Sequence, residues 1–436
     1  MIRACLRLFV IALGLGLVAI AAGCGGDDGA DASAAEAPTA APSPSATPTE
    51  APTATPAPTP TPTPTPWAID PDTVAKMPAG WDPVMAAVAP AGPTGEPPSG
   101  GVTGPVDNTG SRWKYRAVLG RLKPKEQVVE GLAGAVDTMA GRAPLTGLAP
   151  AVPEDRPAVV VKIDNVVEAR PQVGLNEADI VYEELVEGGF TRLAAVYHSQ
   201  HPDAVGPVRS ARSTDIGIMD SFRRPVFLNS GSNSIFDRLI AKQPIHNRGA
   251  EVAEGYWRES GRPAPHNLFT SVAAMAATAE EPRAPKAHFA YRADDGALPA
   301  DAVEASAVRL LYFAGRGTNV EFRWNAEVGG WQRWQGGTPH TDANGVQLAP
   351  QNLIVQYVDY LDTGMTDKFG EDLYEGVSVG TGPALVFTDG HMIEATWTRP
   401  SLRSVATFTD ANGNHVALTT GQTFVSLVAP GGVSWE

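Results

Sequence analysis

The segment from Gly25 to Pro66 is the feature that most limits what this chain can fold into. It contains almost only Ala, Pro, Thr, Ser and Gly with a few acidic residues, and it closes in alternating Pro and Thr from Pro58 to Pro66. Because it has almost no large apolar side chains, burial cannot offset the conformational entropy that ordering would cost. Alternating proline favours the extended polyproline II form, which rises ~3.1 Å per residue. We predict a disordered, Pro-rich tether over 24–66, so the folded part follows it.

The residues before the tether have the layout of a secretory signal peptide. Arg3 and Arg7 precede an apolar run over 8–22, and Cys24 follows directly after small residues. The apolar run is shorter than a membrane span needs. A cysteine here is typical of a bacterial lipoprotein signal, although an ordinary signal peptide that happens to contain a cysteine is the alternative. We predict a signal peptide over 1–23 and acylation of Cys24, including palmitate, which would anchor the protein to the cell membrane on its extracytoplasmic face.

Cysteine count and net charge exclude several classes of function. Cys5 and Cys24 are the only cysteines, and Cys5 leaves with the signal peptide, so the mature chain has no disulfide, thiol nucleophile or thiolate metal site. The formal net charge of −15 argues against a nucleic-acid partner. His340 and Asp342 lie in a polar turn without a second ligand pair, and no phosphate-binding loop or dinucleotide fingerprint occurs. We therefore predict neither a metal site nor a cofactor.

Two differently patterned regions follow a stretch of low order. Over 67–143 we predict little structure apart from one helix within Lys123–Met139, where apolar residues recur at helical spacing. Strand and helix patterns are mixed over 144–290, which indicates a mixed α/β domain of the α+β class. Over 305–436 short β-prone runs alternate with turns, which indicates a mostly antiparallel β domain, either a small barrel or a sandwich.

The first domain begins with a buried strand and a hairpin. Ala158–Ile163 is a continuous apolar run of strand length, and β-prone runs flank Gly188-Gly189, which predicts a hairpin with a two-residue loop. Helices are predicted over 213–222, from a Ser232 cap to Ile240, and over 268–278 with Thr270 or Ser271 as cap. A strand is predicted over 225–229.

The hairpin carries the first candidate site residues. A two-residue loop would place Glu183, Glu187 and Arg192 on one face, with Arg192 diagonal to both carboxylates. Such an arginine could orient a ligand or a general acid. A cross-strand ladder of ion pairs is the alternative.

A second group of candidates is the run containing Arg209, Ser210 and Arg212. Two guanidinium groups beside the free backbone N–H groups of a helix start would suit a phosphate, sulfate or carboxylate. The alternative is that both arginines pair with internal carboxylates such as Asp215.

Two further polar loops could contribute hydrogen bonds. Asn229, Ser230 and Ser232 join a strand to a helix, where backbone donors are open, although any helix would use a serine cap. His266 and Asn267 lie in a third loop, and His266 could act as a general base or as a proton donor to an anion. A structural hydrogen bond is the ordinary alternative for a loop histidine.

Several longer motifs stand out along the chain from about Pro144 to the C-terminus. They are Arg156-Pro157, Asp164-Asn165, Ala169–Leu175, Glu177–Glu183, Glu187–Arg192, Gly206–Arg212, Pro265–Leu268 and Thr396-Trp397. At these motifs the chain resembles the YerB-like lipoproteins, a bacterial family of unknown function. The resemblance implies an N-terminal mixed domain, a C-terminal β domain and a membrane-anchored extracellular location, and it implies no reaction.

Three hypotheses of function follow. The first is an anchored envelope protein that binds a phosphate-bearing polymer or a carboxylated glycan in a polar cleft. The second is a hydrolase of envelope carbohydrate with Glu183 and Glu187 as acid/base pair and His266 assisting, although the strand rise separates the two carboxylates widely. The third is a scaffold whose β domain binds a partner protein. The residues of the proposed cleft are Arg170, Glu183, Arg192, Arg209, Ser210, Arg212, Asn229, Ser230, Ser232, His266 and Asn267.

Overall fold

A computed structural model describes residues 141–149, 156–293, 296–312, 318–367 and 369–436. The predicted signal peptide, Cys24, the tether and the helix within Lys123–Met139 lie outside these residues. No helix in the described ranges is long and apolar enough to cross a membrane.

Strands dominate the described residues, and helices are few and short. The α-helices are α1 (Ser213–Met219), α2 (Ser234–Ile240) and α3 (Val272–Ala276), and 3-10 turns lie at Val167–Ala169, Leu175–Glu177, Glu187–Gly189 and Asp220–Phe222. The strands are β1 (Val159–Asp164), β2 (Ile180–Leu185), β3 (Thr191–Tyr197), β4 (Val226–Leu228), β5 (His246–Asn247), β6 (Tyr256–Arg258), β7 (Leu268–Thr270), β8 (Ala290–Tyr291), β9 (Val303–Glu304), β10 (Ala307–Leu311), β11 (Asn319–Asn325), β12 (Gly330–Gln335), β13 (Thr338–Pro339), β14 (Asn352–Tyr357), β15 (Tyr360–Thr366), β16 (Asp372–Gly376), β17 (Gly380–Thr388), β18 (His391–Arg399), β19 (Thr407–Thr409), β20 (Ala417–Leu418), β21 (Thr423–Val428) and β22 (Val433–Trp435).

One mixed sheet of eleven strands crosses both predicted domains. Its order is β19-β18-β17-β14-β21-β2-β3-β1-β4-β5, with β9 paired to β18. The late strand β21 lies between β14 and β2 and is parallel to both. All six residues of β21 are buried, so this strand needs neighbours on both edges and cover on both faces. The expected self-contained barrel or sandwich after residue 305 therefore does not form, because β14, β17, β18, β19 and β21 extend the sheet that contains β1 to β5.

The large sheet is covered on both faces. A second sheet, ordered β13-β12-β11-β10-β22, packs on one of them, where Phe322 meets Phe424 at 5.7 Å between ring centroids. Apolar residues of α1 and α2, including Ile216 and Ile240, pack on the other. We call these the sheet-covered face and the helix-covered face.

The hairpin of β2 and β3 differs from the prediction by one residue. Its loop is the 3-10 turn Glu187–Gly189, and Leu185 faces Thr191 rather than Arg192. A shift of one residue exchanges the faces. Glu184 therefore lies opposite Arg192 on the helix-covered face, and Glu183 lies on the sheet-covered face.

Two helix predictions need correction. Asn233, not Ser232, caps α2, because its Oδ1 accepts the backbone N–H of Ile235 at 2.9 Å. Leu268–Thr270 is not helical but pairs with β6 as β7, and the backbone of Val205 and Val208 also bonds to it. The helix α3 begins after Ser271, which is one of the two predicted caps and accepts the backbone N–H of Ala274. Residues 213–222 are helical as predicted, as α1 followed by a 3-10 turn.

Candidate functional site

Three guanidinium groups gather at the end of the β1–β3 pair, and we call Arg192, Arg209 and Arg212 the arginine cluster. Arg192 lies directly across from Asp164 in the strand register. Glu187 accepts from two of the arginines: Arg192 Nη2 donates to its Oε1 at 2.8 Å, and Arg212 Nε donates to its Oε2 at 2.7 Å. Burial alone would raise the pKa of Glu187, but the Arg192 and Arg212 guanidiniums outweigh it and lower the pKa to about 2. Glu187 is therefore a fixed anion.

The third arginine shares a carboxylate with the histidine. Asp164 Oδ2 lies 2.8 Å from Arg209 Nε and 2.7 Å from His266 Nδ1. Asp164 is buried, whereas the side chains of Arg209 and His266 are 24% and 17% exposed. Among the described residues, the two Nη groups of Arg209 and the Nε2 of His266 have no hydrogen-bond partner. The exposed ends of both side chains are therefore open to a ligand.

Positive charge exceeds negative charge in this cluster. The three guanidiniums face the carboxylates of Asp164 and Glu187, which leaves one positive charge in excess even with a neutral His266. Burial, with the like charges of Arg212 and Arg209, lowers the pKa of Arg192 to about 10. Cations crowded in this way favour the binding of an anion.

The helix α1 contributes side chains rather than an open N-terminus. Asp215 Oδ2 accepts the backbone N–H of Arg212 at 2.7 Å, and its Oδ1 accepts from Lys162 Nζ at 2.9 Å. Lys162 also bonds Glu184, and all three side chains are buried. Burial and the nearby Asp215 raise the pKa of Glu184 to about 7 against the effect of Lys162. This buried triad of Lys162, Glu184 and Asp215 is joined to the arginine cluster by the hydrogen bond from the Arg212 backbone to Asp215.

The serines and the strand–helix loop lie next to the cluster. The backbone carbonyl of Ser210 accepts from Arg192 Nη1 at 2.9 Å, and the side-chain Oγ of Ser210 lies 3.4 Å from the hydroxyl of Ser230. Asn229 Oδ1 accepts the backbone N–H of Gly231 at 2.9 Å, so it shapes the loop. Ser232 donates to Asp237 within the first turn of α2.

Other predicted residues are used elsewhere. Asn267 accepts from Arg258 Nη1 at 2.7 Å and donates to the Glu259 carbonyl at 3.2 Å. Arg170 Nη1 donates to the Gln335 carbonyl at 3.4 Å, and burial, with Arg333 nearby, lowers its pKa. Within the described residues, neither Asn267 nor Arg170 makes a hydrogen bond or ion pair with the arginine cluster.

Glu183 belongs to a closed network on the sheet-covered face. Arg333 Nη2 lies 2.9 Å from both of its carboxylate oxygens, and Thr191 donates to it at 2.8 Å. Arg333 also bonds His340 Nδ1, and His340 Nε2 lies 2.7 Å from Gln172 Oε1. Because Arg333 only donates, Nδ1 of His340 accepts and its Nε2 donates to Gln172. Glu183 is therefore not part of a site open to a ligand.

Asp164 and Arg333 are the important residues that the sequence did not single out as site residues. Asp164 is a charged residue at the end of a buried strand, and such a position is a signal for a site where strands end. Arg333 lies in a half-buried strand and has no comparable signal. No group of three His, Cys, Asp or Glu side chains in the described part of the chain could hold a metal ion.

Comparison with known proteins identifies relatives. The "Protein of unknown function (DUF3048) N-terminal domain" matches residues 145–285, and the corresponding C-terminal domain matches residues 308–425. The "Putative lipoprotein YerB" of Bacillus subtilis (strain 168) is 31% identical over 302 residues, which cover 66% of this chain and 86% of that protein. The crystal structure of YerB from Bacillus subtilis aligns with a TM-score of 0.57 at 26% identity, over 68% of this chain and 99% of the crystallised chain. The chain therefore belongs to the DUF3048 family of YerB-like proteins, whose function is unknown.

Proposed function

We propose that this protein is a lipid-anchored protein of the extracytoplasmic membrane face that binds an anionic polymer of the cell envelope through its arginine cluster. The observation that carries the proposal is the excess of guanidinium over carboxylate at a partly exposed site. In this arrangement Arg209 and His266 contact the ligand directly, because their outer nitrogens lack protein partners among the described residues.

The roles of the other residues follow from their contacts. Arg192 and Arg212 are held by Glu187, so they contribute mainly their charge and a fixed shape. The hydroxyls of Ser210 and Ser230 add hydrogen-bonding groups at the same edge. Asn229 acts indirectly by holding the loop that presents Ser230.

The anchor rests on Cys24 and on the relative that carries the name lipoprotein. The Pro-rich tether would then hold the folded part at a distance from the bilayer. An anionic polymer of the envelope is the ligand class that such a position would expose to a cationic site.

The geometry does not favour the other hypotheses. A glycosidase pair of Glu183 and Glu187 fails because Glu183 is buried against Arg333, and Glu187, with a pKa of about 2, has no proton to donate near neutral pH. A pure scaffold explains Arg192 and Arg212, which are paired, but it gives no use for the Nη groups of Arg209, which no described residue contacts by a hydrogen bond.

The test is binding of the full-length chain in detergent to poly(glycerol phosphate), to polygalacturonate and to neutral dextran. We expect binding to an anionic polymer and none to dextran, and Arg209→Gln should weaken it roughly ten- to a hundred-fold, as for loss of charge-assisted hydrogen bonds. Arg309→Gln is the matched control, because Arg309 has a similar exposure of 27% and also pairs with a carboxylate, in the second sheet. Equal binding by wild type and Arg209→Gln would disprove the proposal.

A further inference from the structure

We propose that the arginine cluster is also catalytic, with His266 as general base in the hydrolysis of a phosphodiester. This inference rests on the proposed function, since the same site must first bind the anionic ligand. It goes beyond binding because it assigns a reaction class and a reacting atom.

The first step of the argument is the orientation of the imidazole. A carboxylate accepts hydrogen bonds only, so the 2.7 Å contact with Asp164 Oδ2 places a proton on Nδ1 of His266. In the neutral ring Nε2 then carries a lone pair. Asp164 is buried and the ring is partly exposed, so the pair points its basic nitrogen outward. A buried acceptor that fixes the tautomer of a base is the arrangement general-base catalysis requires.

The second step is the position of the positive charge. The same Asp164 Oδ2 lies 2.8 Å from Arg209 Nε, so one carboxylate holds both the base and a guanidinium whose outer donors have no partner in the part of the chain that the structure describes. Phosphoryl transfer places growing negative charge on the non-bridging oxygens, and a fixed fork of N–H donors stabilises it. Arg192 and Arg212, which Glu187 holds, add further positive charge to the same cluster.

The third step excludes a serine nucleophile. Among the described residues no hydroxyl group bonds His266, and the hydroxyl of Ser210 is near that of Ser230 instead. Water is therefore the nucleophile. Its oxygen bonds to phosphorus while His266 Nε2 takes its proton, the bond from phosphorus to one ester oxygen breaks, and that oxygen takes a proton from solvent. The products are a phosphomonoester and an alcohol, and His266 returns its proton to solvent.

The experiment follows release of 4-nitrophenol from bis(4-nitrophenyl) phosphate and of phosphomonoester ends from poly(glycerol phosphate) by the full-length chain in detergent. His266→Ala should lower kcat at least ~100-fold, and added imidazole should restore part of it. His391→Ala is the control, because His391 lies in β18, six strand positions from β1. Binding of poly(glycerol phosphate) is measured in parallel for every variant.

Asp164 is a positioning residue and needs its own readout. Asp164→Asn should lower kcat by a larger factor when His266 is present than in His266→Ala, because in the second background only the contact of Asp164 with Arg209 remains to be lost. A purely structural role would lower both equally.

The outcomes separate the two proposals. Wild-type binding without turnover overturns the inference and leaves the proposed function standing. No binding to either anionic polymer overturns both. The inference is also overturned if His266→Ala retains turnover. It is overturned as well if His266→Ala loses turnover, still binds the polymer and is not rescued by imidazole.

Discussion

Arg333 and Glu183 connect the two packed sheets, since Nη2 of Arg333 lies 2.9 Å from both carboxylate oxygens of Glu183 and both side chains are fully buried. One residue comes from β12 of the smaller sheet and the other from β2 in the middle of the large one. The two predicted domains are thus joined by a buried charge pair as well as by shared strands.

Removing one partner of this pair should destabilise the fold strongly. We expect Arg333→Met to lower the free energy of unfolding by ~3–5 kcal/mol, because it leaves the Glu183 charge buried and unpaired. Adding Glu183→Gln should recover much of the loss. Urea unfolding measures both. A double variant no more stable than Arg333→Met would assign the cost to packing rather than to charge.

The carboxyl group of Glu375 should make stability fall with rising pH. Burial raises its pKa to about 7, so its stabilising protonated form is fully present below its ordinary pKa of 4.5 and is lost as pH rises through 7. Glu375→Gln should then increase the free energy of unfolding by up to ~3 kcal/mol above pH 7 and change it little below pH 4. Unfolding across pH 4 to 8 tests this. Glu394→Gln, at an exposed position of β18, is the control.

Glu187 should limit ligand affinity while it stabilises the cluster. Glu187→Gln removes the anion held by Arg192 and Arg212, which increases the excess positive charge. We expect binding of poly(glycerol phosphate) to tighten roughly ten-fold at low salt, with a steeper salt dependence. The free energy of unfolding should fall in the same variant. Unchanged or weaker binding at normal folding would show that Glu187 organises the arginines rather than competing for them.

Gly206 should be essential to the loop that carries the arginines. Its φ is 155°, and a Cβ there would lie 2.7 Å from Phe269 Cδ1 and 2.8 Å from the Leu268 carbonyl. Gly206→Ala should therefore destabilise the protein by roughly 1–3 kcal/mol through overpacking. Gly261→Ala is the matched control, in the loop between β6 and β7, because nothing lies within 4 Å of its added Cβ. Equal thermal unfolding of the two variants would contradict this account.

Local patterns in the sequence predicted much of the fold, but not contacts between distant parts. The apolar run at Ala158–Ile163 and the helix over 213–222 appear where expected, because burial and local capping decide them. The hairpin register was wrong by one residue. Glu187 leaves the ladder and bonds Arg212, which lies 25 residues further along the chain, and no local turn rule contains that contact.

The candidate site shows the same division. Arg192, Arg209, Arg212 and His266 lie together, whereas Arg170 and Asn267, which the first hypothesis also assigns to the cleft, make their contacts elsewhere. The carboxylates that hold the arginines could not be assigned from spacing. Glu183 looked like a neighbour of Arg192 only because of the mistaken register. Arg333 bonds Glu183, which lies 150 residues earlier in the chain, and the residue pattern of β12 gives no indication of that partner.

The place of β21 in the middle of the large sheet has a consequence for biosynthesis. Thr423–Val428 is made after every other strand of the large sheet, yet it separates β14 from β2 and pairs with both. Until Thr423–Val428 has been synthesised, β14 and β2 each have an unpaired edge that can pair with other chains. The nascent polypeptide thus keeps these inner strands without their shared neighbour until Thr423–Val428 has left the ribosome, and a product that stops before Thr423 would aggregate rather than work in a shortened form.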